Sequence, residues 1–279
     1  HLEDVTRADI DGFVVPFVQQ LMRLSEQVPE QQKVKVRLCD TMGFGLSYPG
    51  AALPRSVPKL VHRMTHDAGV PTDRLEWHGH NDFHKVHINA VTAWLYGVDA
   101  VNATLFGIGE RTGNPPLEGA LFEYIAIKGD LCGITTAVLT ELAEYYQREI
   151  GTHLPDSAPF VGATFNITKA GIHADGLMRD ERIYNIFDTG TLLGRPPGVV
   201  ITDKSGADGV ALWVNNFLGL KGKDRLSKIK LVKLCRYVAD QYAAGRTTAI
   251  SREEMIEQLR LHLPDLYESH VRPRLEKQG

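Results

Sequence analysis

Strand-like and helical segments alternate through the first half of this chain, and that alternation restricts its fold more than any other feature. Strand-like runs lie at residues 34–43, at 75–82 and from residue 99 onward. Helical periodicity covers residues 9–28, 54–69 (with Pro54 at its start), 84–96 and 117–128. Such alternation is typical of parallel strands joined by crossover helices, as in a doubly wound sheet or a (β/α)₈ barrel. The sequence therefore predicts an α/β fold.

The second half of the chain is predicted to be mostly helical. A helix over residues 134–151 ends at Gly151 and leads into a proline-bearing stretch. Ser251 and Glu254 form the pattern of a capping box, which predicts a helix beginning at residue 252. Another helix is expected near residues 224–244, with one apolar face formed by Leu226, Ile229, Leu234, Val238 and Tyr242. We expect a domain boundary near residues 150–160.

Composition excludes several classes of partner. A net charge of −3 at pH 7 gives no basic surface for nucleic acid. No apolar run approaches the length of a membrane helix. Three separated cysteines suit a reducing compartment, and no signal peptide is visible, so the cytoplasm is the expected location.

The sequence HGHND at residues 78–82 is the first candidate for chemistry. His78 and His80 are two residues apart at the end of a predicted strand, so their side chains point to the same face. The carboxyl ends of parallel strands carry the active sites of α/β folds. Two imidazoles there can chelate a divalent metal, and the alternative is a pair of histidines satisfied by hydrogen bonds.

A glycine-bearing turn follows the third predicted strand. The glycines at 107, 109 and 113 resemble a phosphate loop, but their spacing is one residue too long for a dinucleotide fingerprint and prolines interrupt the turn. The turn instead presents Glu110, Arg111 and Asn114 at the end of a strand.

These motifs together resemble the acyl-CoA-condensing metalloenzymes that include 2-isopropylmalate synthase, homocitrate synthase and Re-type citrate synthase. LEDVTRAD at 2–9 resembles the segment after barrel strand five, and CDTMG at 39–43 resembles strand six. HGHND resembles strand seven and GIGERTGN at 107–114 resembles strand eight. FNITKAGIHADGL at 165–177 and the following ERIYNIFD resemble the family's C-terminal subdomain.

The resemblance implies a role for each matching residue. The metal ligands would be His78, His80 and Asn114. His173 and Tyr184 would be a catalytic pair that one subunit supplies to the barrel of a neighbouring subunit, which implies a homodimer. Glu3 and Glu110 would lie at the catalytic end of the barrel, and the substrate would contact Thr41, Asp82, His84, Lys85 and Arg111. The alternatives are a capping carboxylate at Glu3, a turn hydroxyl at Thr41, a loop histidine at His173 and a core tyrosine at Tyr184.

The implied reaction condenses acetyl-CoA with a 2-oxo acid, and its cofactor is a divalent ion. A mixed nitrogen and oxygen ligand set is compatible with Mn, Mg, Co or Zn. His84 and Lys85 would add cationic groups beside the metal, which favours a substrate with a second carboxylate such as oxaloacetate over 2-oxoisovalerate or 2-oxoglutarate.

The chain lacks the family's first barrel strand, which supplies an arginine and a metal-binding aspartate. We therefore expect a partial (β/α)₈ barrel of about strands five to eight at residues 1–133, a linker at 134–160 and a helical subdomain at 161–279. The rest of the barrel would come from sequence upstream in the same gene, since the chain starts at His1, or from another chain. Two alternatives stay open: a hydroxymethylglutaryl-CoA lyase, although the loop has no cysteine, and a non-catalytic fragment or assembly subunit.

Overall fold

A computed structural model describes residues 1–185, 187–220 and 222–275. The chain divides into two compact units, His1–Ile134 and Thr135–Gly279. Each unit has its own hydrophobic core, so each is described by itself.

The first unit contains a parallel sheet of three strands, β1 (Val36–Asp40), β2 (Leu75–Gly79) and β3 (Ala100–Asn102), in that order. The register aligns Cys39 with His78 and His78 with Asn102. Leu2 continues the sheet beyond β1 through a parallel bridge to Leu38. The predicted α/β fold with a parallel sheet is confirmed, and all strands end at one edge.

Four α-helices accompany this sheet: α1 (Val15–Ser25), α2 (Val57–His62), α3 (Val86–Leu95) and α4 (Leu117–Lys128). The predicted start of α2 at Pro54 is wrong. The helix begins after Ser56, because the Ser56 hydroxyl accepts the Lys59 N–H and Pro58 occupies the first turn. A π-helical turn, Arg63–Asp67, extends α2.

The core of the first unit lies between the sheet and these helices. Its largest buried side chains include Trp77, Leu38, Leu60 and Met64. Helix α3 packs against α2 and α4 and against strands β2 and β3. Apolar residues on α3 and β2 thereby hold the loop between them, which carries the second half of HGHND, at the carboxyl edge of the sheet.

The described residues of the second unit form six α-helices of five or more residues and one short sheet. The helices are α5 (Val138–Tyr145), α6 (Gly171–Arg179), α7 (Thr189–Leu193), α8 (Gly206–Leu218), α9 (Val232–Ala243) and α10 (Arg252–His262). Two two-residue strands, β4 (Ile167–Thr168) and β5 (Gly198–Val199), pair in parallel and were not predicted. Buried residues of α6, α8, α9 and α10 form the core.

The prediction for residues 224–244 is wrong at its beginning. Helix α9 starts only at Val232, and Lys228–Leu231 forms a 3₁₀ turn instead. Ile229 is 84% exposed and does not belong to the apolar face, whereas Leu234 and Val238 are buried as expected. The capping box of Ser251 and Glu254 is present with both of its hydrogen bonds.

Throughout the part of the chain that the structure describes, every helix is too short or too polar to span a bilayer.

Candidate active site

His78 and His80 lie at the carboxyl end of β2, with ring centroids 5.1 Å apart and ring planes perpendicular. Their i, i+2 spacing on a strand brings both rings to one face, as the sequence predicts. His80 is 8% exposed and His78 is half-buried. The two candidate ligands are therefore neighbours at the edge where the loops of the sheet gather.

The tautomer of His78 is set by a residue that sequence reasoning missed. Asn102 Oδ1 on β3 lies 3.0 Å from His78 Nδ1, so Nδ1 donates the hydrogen and Nε2 keeps its lone pair. Burial lowers the pKa of His78, and the nearby His80 lowers it further. A neutral ring with a free Nε2 is the form that binds a metal ion. The strand register, which pairs His78 with Asn102, was the only signal for this contact.

His80 and Asn114 contribute the remaining atoms of the predicted ligand set. Within the described ranges, His80 Nδ1 is buried and has no hydrogen-bond partner. A buried ring nitrogen without a partner is costly unless another group binds it. Asn114 is 8% exposed, and its Nδ2 donates to the Gly79 carbonyl at 3.0 Å, which leaves Oδ1 as the ligand atom. These residue types fit a divalent ion.

The glycine at position 109 makes room for Asn114. A Cβ added to Gly109 would lie 1.9 Å from Asn114 Oδ1, well inside van der Waals contact. Glycine is therefore required at position 109 because the Asn114 amide approaches the backbone closely, and not because the turn binds a dinucleotide.

A hydrogen-bonded chain joins the loops at this edge. Thr41 Oγ1 donates to Glu3 Oε2 at 3.0 Å, and the Thr41 carbonyl accepts from Arg111 Nη2 at 2.5 Å. Arg111 also donates to both oxygens of Asp82, at 2.9 and 3.2 Å. The Arg111 guanidinium lowers the pKa of Asp82. Four of the predicted residues are thus brought together.

Glu110 and His84 are on the surface. The Glu110 carboxylate is 83% exposed and lies 3.8 Å from the Arg111 guanidinium. His84 is exposed and has a positive φ of 55°. Both side chains are therefore exposed to solvent rather than buried beside His78 and His80.

A buried carboxylate that the sequence analysis did not single out holds the glycine-bearing turn. Glu118 is 5% exposed, and its Oε2 accepts the N–H of Phe106 at 3.0 Å. Phe106 has a φ of 60°, a conformation that a non-glycine residue adopts only under constraint. Burial raises the pKa of Glu118.

Among the described residues, one cluster of three conventional metal-ligand side chains occurs, formed by His1, Glu3 and Cys39. Their ligand atoms lie within 4.8 Å of one another. Burial, together with the charge of Glu3, raises the pKa of Cys39 to about 12. A protonated thiol is a poor metal ligand, and His78 and His80 stay the predicted ligands.

The second unit contains the predicted pair His173 and Tyr184. Their rings are stacked with centroids 4.0 Å apart, so the structure brings the two residues together as neighbours. Thr168 on β4, a 6% exposed residue, places its Oγ1 3.3 Å from His173 Nδ1. Sequence reasoning missed Thr168 because the short strand β4 was not predicted.

Comparison with known proteins agrees with these motifs. A family model described as HMGL-like matches residues 10–145. The chain is 53% identical to a citrate (Re)-synthase of Syntrophus aciditrophicus (strain SB), over 97% of this chain and 43% of that protein. It is 49% identical to a citrate (Re)-synthase of Clostridium kluyveri, over 91% of this chain and 56% of that protein.

A more distant relative is the 2-phosphinomethylmalate synthase of Streptomyces hygroscopicus, which is 34% identical over 91% of this chain and 57% of that protein. The chain thus spans about half the length of the curated relatives it matches. The matched segment includes β1 to β3 and the histidine pair. Residues 10–145 of this chain therefore carry an HMGL-like domain.

Proposed function

We propose that this chain is part of an acyltransferase that condenses acetyl-CoA with a 2-oxo acid, and that oxaloacetate is the preferred acceptor. The observation that carries the proposal is the His78–His80 pair, in a chain 53% identical to a citrate (Re)-synthase. Among the described residues, the buried His80 Nδ1 has no hydrogen-bond partner. The cationic Lys85 just beyond the pair supports an acceptor with a second carboxylate.

We also propose the architecture in which this site works. Residues 1–133 would form about the last four strands of a (β/α)₈ barrel, residues 134–160 a linker and residues 161–279 a helical subdomain. Three parallel strands and the Leu2 bridge support this assignment, since a barrel continues its sheet on both sides. The first strands would come from sequence outside this chain.

His78 Nε2, His80 Nδ1 and Asn114 Oδ1 would hold a divalent ion of Mn, Mg, Co or Zn. The bound ion supplies Lewis-acid polarisation of the carbonyl of the oxo acid. The chain's contribution is to orient the imidazoles before the ion arrives. Asn102 does this for His78.

The chain of hydrogen bonds from Glu3 to Asp82 would orient the oxo acid. Arg111 lies between Thr41 and Asp82, which fixes its guanidinium at the carboxyl edge of the sheet. A fixed guanidinium recognises a carboxylate through paired hydrogen bonds. Glu110 and His84 are exposed and would meet the substrate at the rim of the site.

His173 would act as the base that removes a proton from the acetyl methyl group, with Tyr184 stacked on its ring. The resulting carbon nucleophile attacks the carbonyl carbon of the oxo acid, so a carbon–carbon bond forms as the carbonyl π bond breaks, and the oxygen takes up a proton from water. Water then cleaves the thioester and releases the free CoA thiol. In a homodimer, each subunit would supply His173 to the site of the other.

The experiment uses the full-length protein and follows the release of the CoA thiol. Turnover is compared with oxaloacetate, 2-oxoisovalerate and 2-oxoglutarate, with and without each divalent ion. We expect oxaloacetate to be preferred, and His78→Ala or Asn114→Ala to lower kcat/KM by about 100-fold or more. His66→Ala, on an exposed surface of the first unit, serves as the matched control.

Other outcomes would contradict the proposal in different ways. Preference for 2-oxoisovalerate would assign the site to an isopropylmalate-type reaction. Cleavage of hydroxymethylglutaryl-CoA without condensation would indicate a lyase. A protein that binds no divalent ion and turns over none of the acids would have a binding or assembly role only.

A further inference from the structure

Two cationic side chains donate hydrogen bonds to successive carbonyl groups of the loop that follows β1. Arg55 Nε donates to the Phe44 carbonyl at 3.1 Å, and Lys85 Nζ donates to the Gly45 carbonyl at 2.8 Å. Each cation has further N–H groups that these bonds do not use. Arg55 and Lys85 come from different loops and are therefore held side by side on one short segment of backbone.

Aromatic rings flank both cations. The rings of Phe44 and Phe83 are 5.0 Å apart, and Phe83 is 50% exposed. The Arg55 guanidinium carbon lies 5.7 Å from the centre of the Phe44 ring, and Lys85 Nζ lies 5.4 Å from that of Phe83. Contact with the rings places both charges beside an apolar surface.

Among the described residues, neither charge is paired with a carboxylate. Across residues 1–185, 187–220 and 222–275, neither Arg55 nor Lys85 has a carboxylate oxygen within 4.0 Å. The negative charge of Asp40 acts on Lys85, but the Asp40 oxygens already accept from the Gly45 N–H, Thr6 and Asn89. Burial and the positive charge of Arg55 lower the pKa of Lys85, which shows that the two cations repel each other.

The segment also borders the histidine pair. A Cβ added to Gly43 would lie 2.7 Å from the His80 carbonyl oxygen, so the loop after β1 packs directly on HGHND. The loop whose carbonyl groups bind Arg55 and Lys85 is therefore in contact with the segment that carries the candidate metal ligands.

We propose that Arg55 and Lys85 form a two-cation subsite for an anionic group of a substrate. Both cations, and not Lys85 alone, are needed to bind that group. The inference rests on the proposed function for the identity of the substrates. The chemistry is that of a carboxylate or phosphate oxygen, and its source is either the second carboxylate of the oxo acid or a phosphate of CoA.

The test measures binding by titration calorimetry in the full-length protein, without turnover. The variants are Arg55→Gln and Lys85→Met, and Arg55→Lys retains the charge. Arg7→Gln is the matched control, because Arg7 lies 5.8 Å from the same Phe44 ring but is already paired with both oxygens of Asp4. The ligands are oxaloacetate, 2-oxobutyrate, CoA and CoA without its 3′-phosphate. Thermal melts identify any variant that loosens the loop.

We expect Arg55→Gln and Lys85→Met to weaken one ligand by about tenfold, and Arg55→Lys to restore part of the loss. A loss for oxaloacetate but not for 2-oxobutyrate assigns the carboxylate. A loss of affinity for CoA shows that the subsite binds a phosphate. If CoA without its 3′-phosphate binds equally to all variants, the phosphate is the 3′-phosphate. Unchanged affinities, or an equal loss in Arg7→Gln, would overturn the subsite.

The same measurements separate this inference from the proposed function. Charge-dependent binding without condensation would support the subsite and contradict the acyltransferase. Condensation with unchanged KM values in Arg55→Gln and Lys85→Met would support the acyltransferase and contradict the subsite.

Discussion

Asn102 Oδ1 accepts a hydrogen bond from His78 Nδ1 across two neighbouring parallel strands, at 3.0 Å. The contact fixes which nitrogen of the ring is free for a metal. Asn102→Leu removes the acceptor, and we expect the affinity for Mn²⁺ to fall about 10-fold to 100-fold. Asn102→Asp keeps an acceptor oxygen and should retain most of the affinity. Calorimetric titration with Mn²⁺ measures both, and equal affinities in wild type and Asn102→Leu would contradict the assignment.

The hydroxyl of Thr168 orients the candidate base. Thr168 Oγ1 lies 3.3 Å from His173 Nδ1, so Thr168→Val removes the contact without changing the size of the side chain. We expect kcat to fall about fivefold with little change in KM, because a hydrogen bond of this kind contributes about 1 kcal/mol. Thr168→Ser should restore kcat. Nitrogen NMR of the His173 ring reads the tautomer directly, and identical tautomer populations in Thr168→Val and wild type would refute the role.

Gly109 is predicted to be sensitive to a single methyl group. In Gly109→Ala the new Cβ would lie 1.9 Å from Asn114 Oδ1, so the amide must move away. We expect weaker metal binding by about tenfold, by analogy with other losses around a ligand. Ile108→Ala, at the preceding and 43% exposed position, is the control for a general change in the loop. Equal metal affinity in both variants would show that Asn114 is not a ligand.

The three cysteines should differ in reactivity at pH 8. Burial raises the pKa of Cys39 to about 12, so its thiol stays protonated far above pH 8. Burial also raises the pKa of Cys235, whereas Cys132 is exposed. The thiolate is the reactive form, so a disulfide reagent should modify Cys132 first in the folded protein. Cys132→Ser should remove the fast phase, and a fast phase that persists in this variant would contradict the raised pKa of Cys39 and Cys235.

The capping box of α10 should stabilise the second unit in a pH-dependent manner. Arg246 and the Ser251 N–H lower the pKa of Glu254 to about 2 from an ordinary value of 4.5. Glu254 therefore stabilises the folded state fully above about pH 4.5, and the contribution is lost as pH falls toward 2. Ser251→Ala should cost about 1 kcal/mol. Hydrogen exchange of the α10 amides measures it, and Glu254→Gln should flatten the acid dependence.

Much of the first unit was predictable because the spacing of apolar residues and the positions of glycines and prolines indicated the same elements. The glycines and the apolar alternation located β1, β2 and β3, and α4 has the predicted bounds, Leu117–Lys128. The start of α2 was wrong because two prolines compete in one segment, and Ser56 decided in favour of the second. Local sequence does not show which hydroxyl reaches a backbone N–H.

The candidate site was predictable in its residues and not in their supports. His78 and His80 are two residues apart in sequence, so their convergence followed from strand geometry alone. Asn102 and Thr168 act on histidines that lie 24 and 5 residues away, and each contact depends on a pairing or a short strand. Ile229 was misplaced because a helical pattern continued into a 3₁₀ turn, where the same spacing points outward.

The alignment of Cys39, His78 and Asn102 across the sheet has a consequence for how this protein tolerates insertions. Side chains alternate between faces, so a one-residue slip of β3 would turn Asn102 away from His78 and present a neighbour in its place. Such a slip would disturb the hydrophobic core less than it would disturb the orientation of the His78 imidazole. Lengthening the short Gly97–Asp99 turn should therefore abolish chemistry in a protein that still folds.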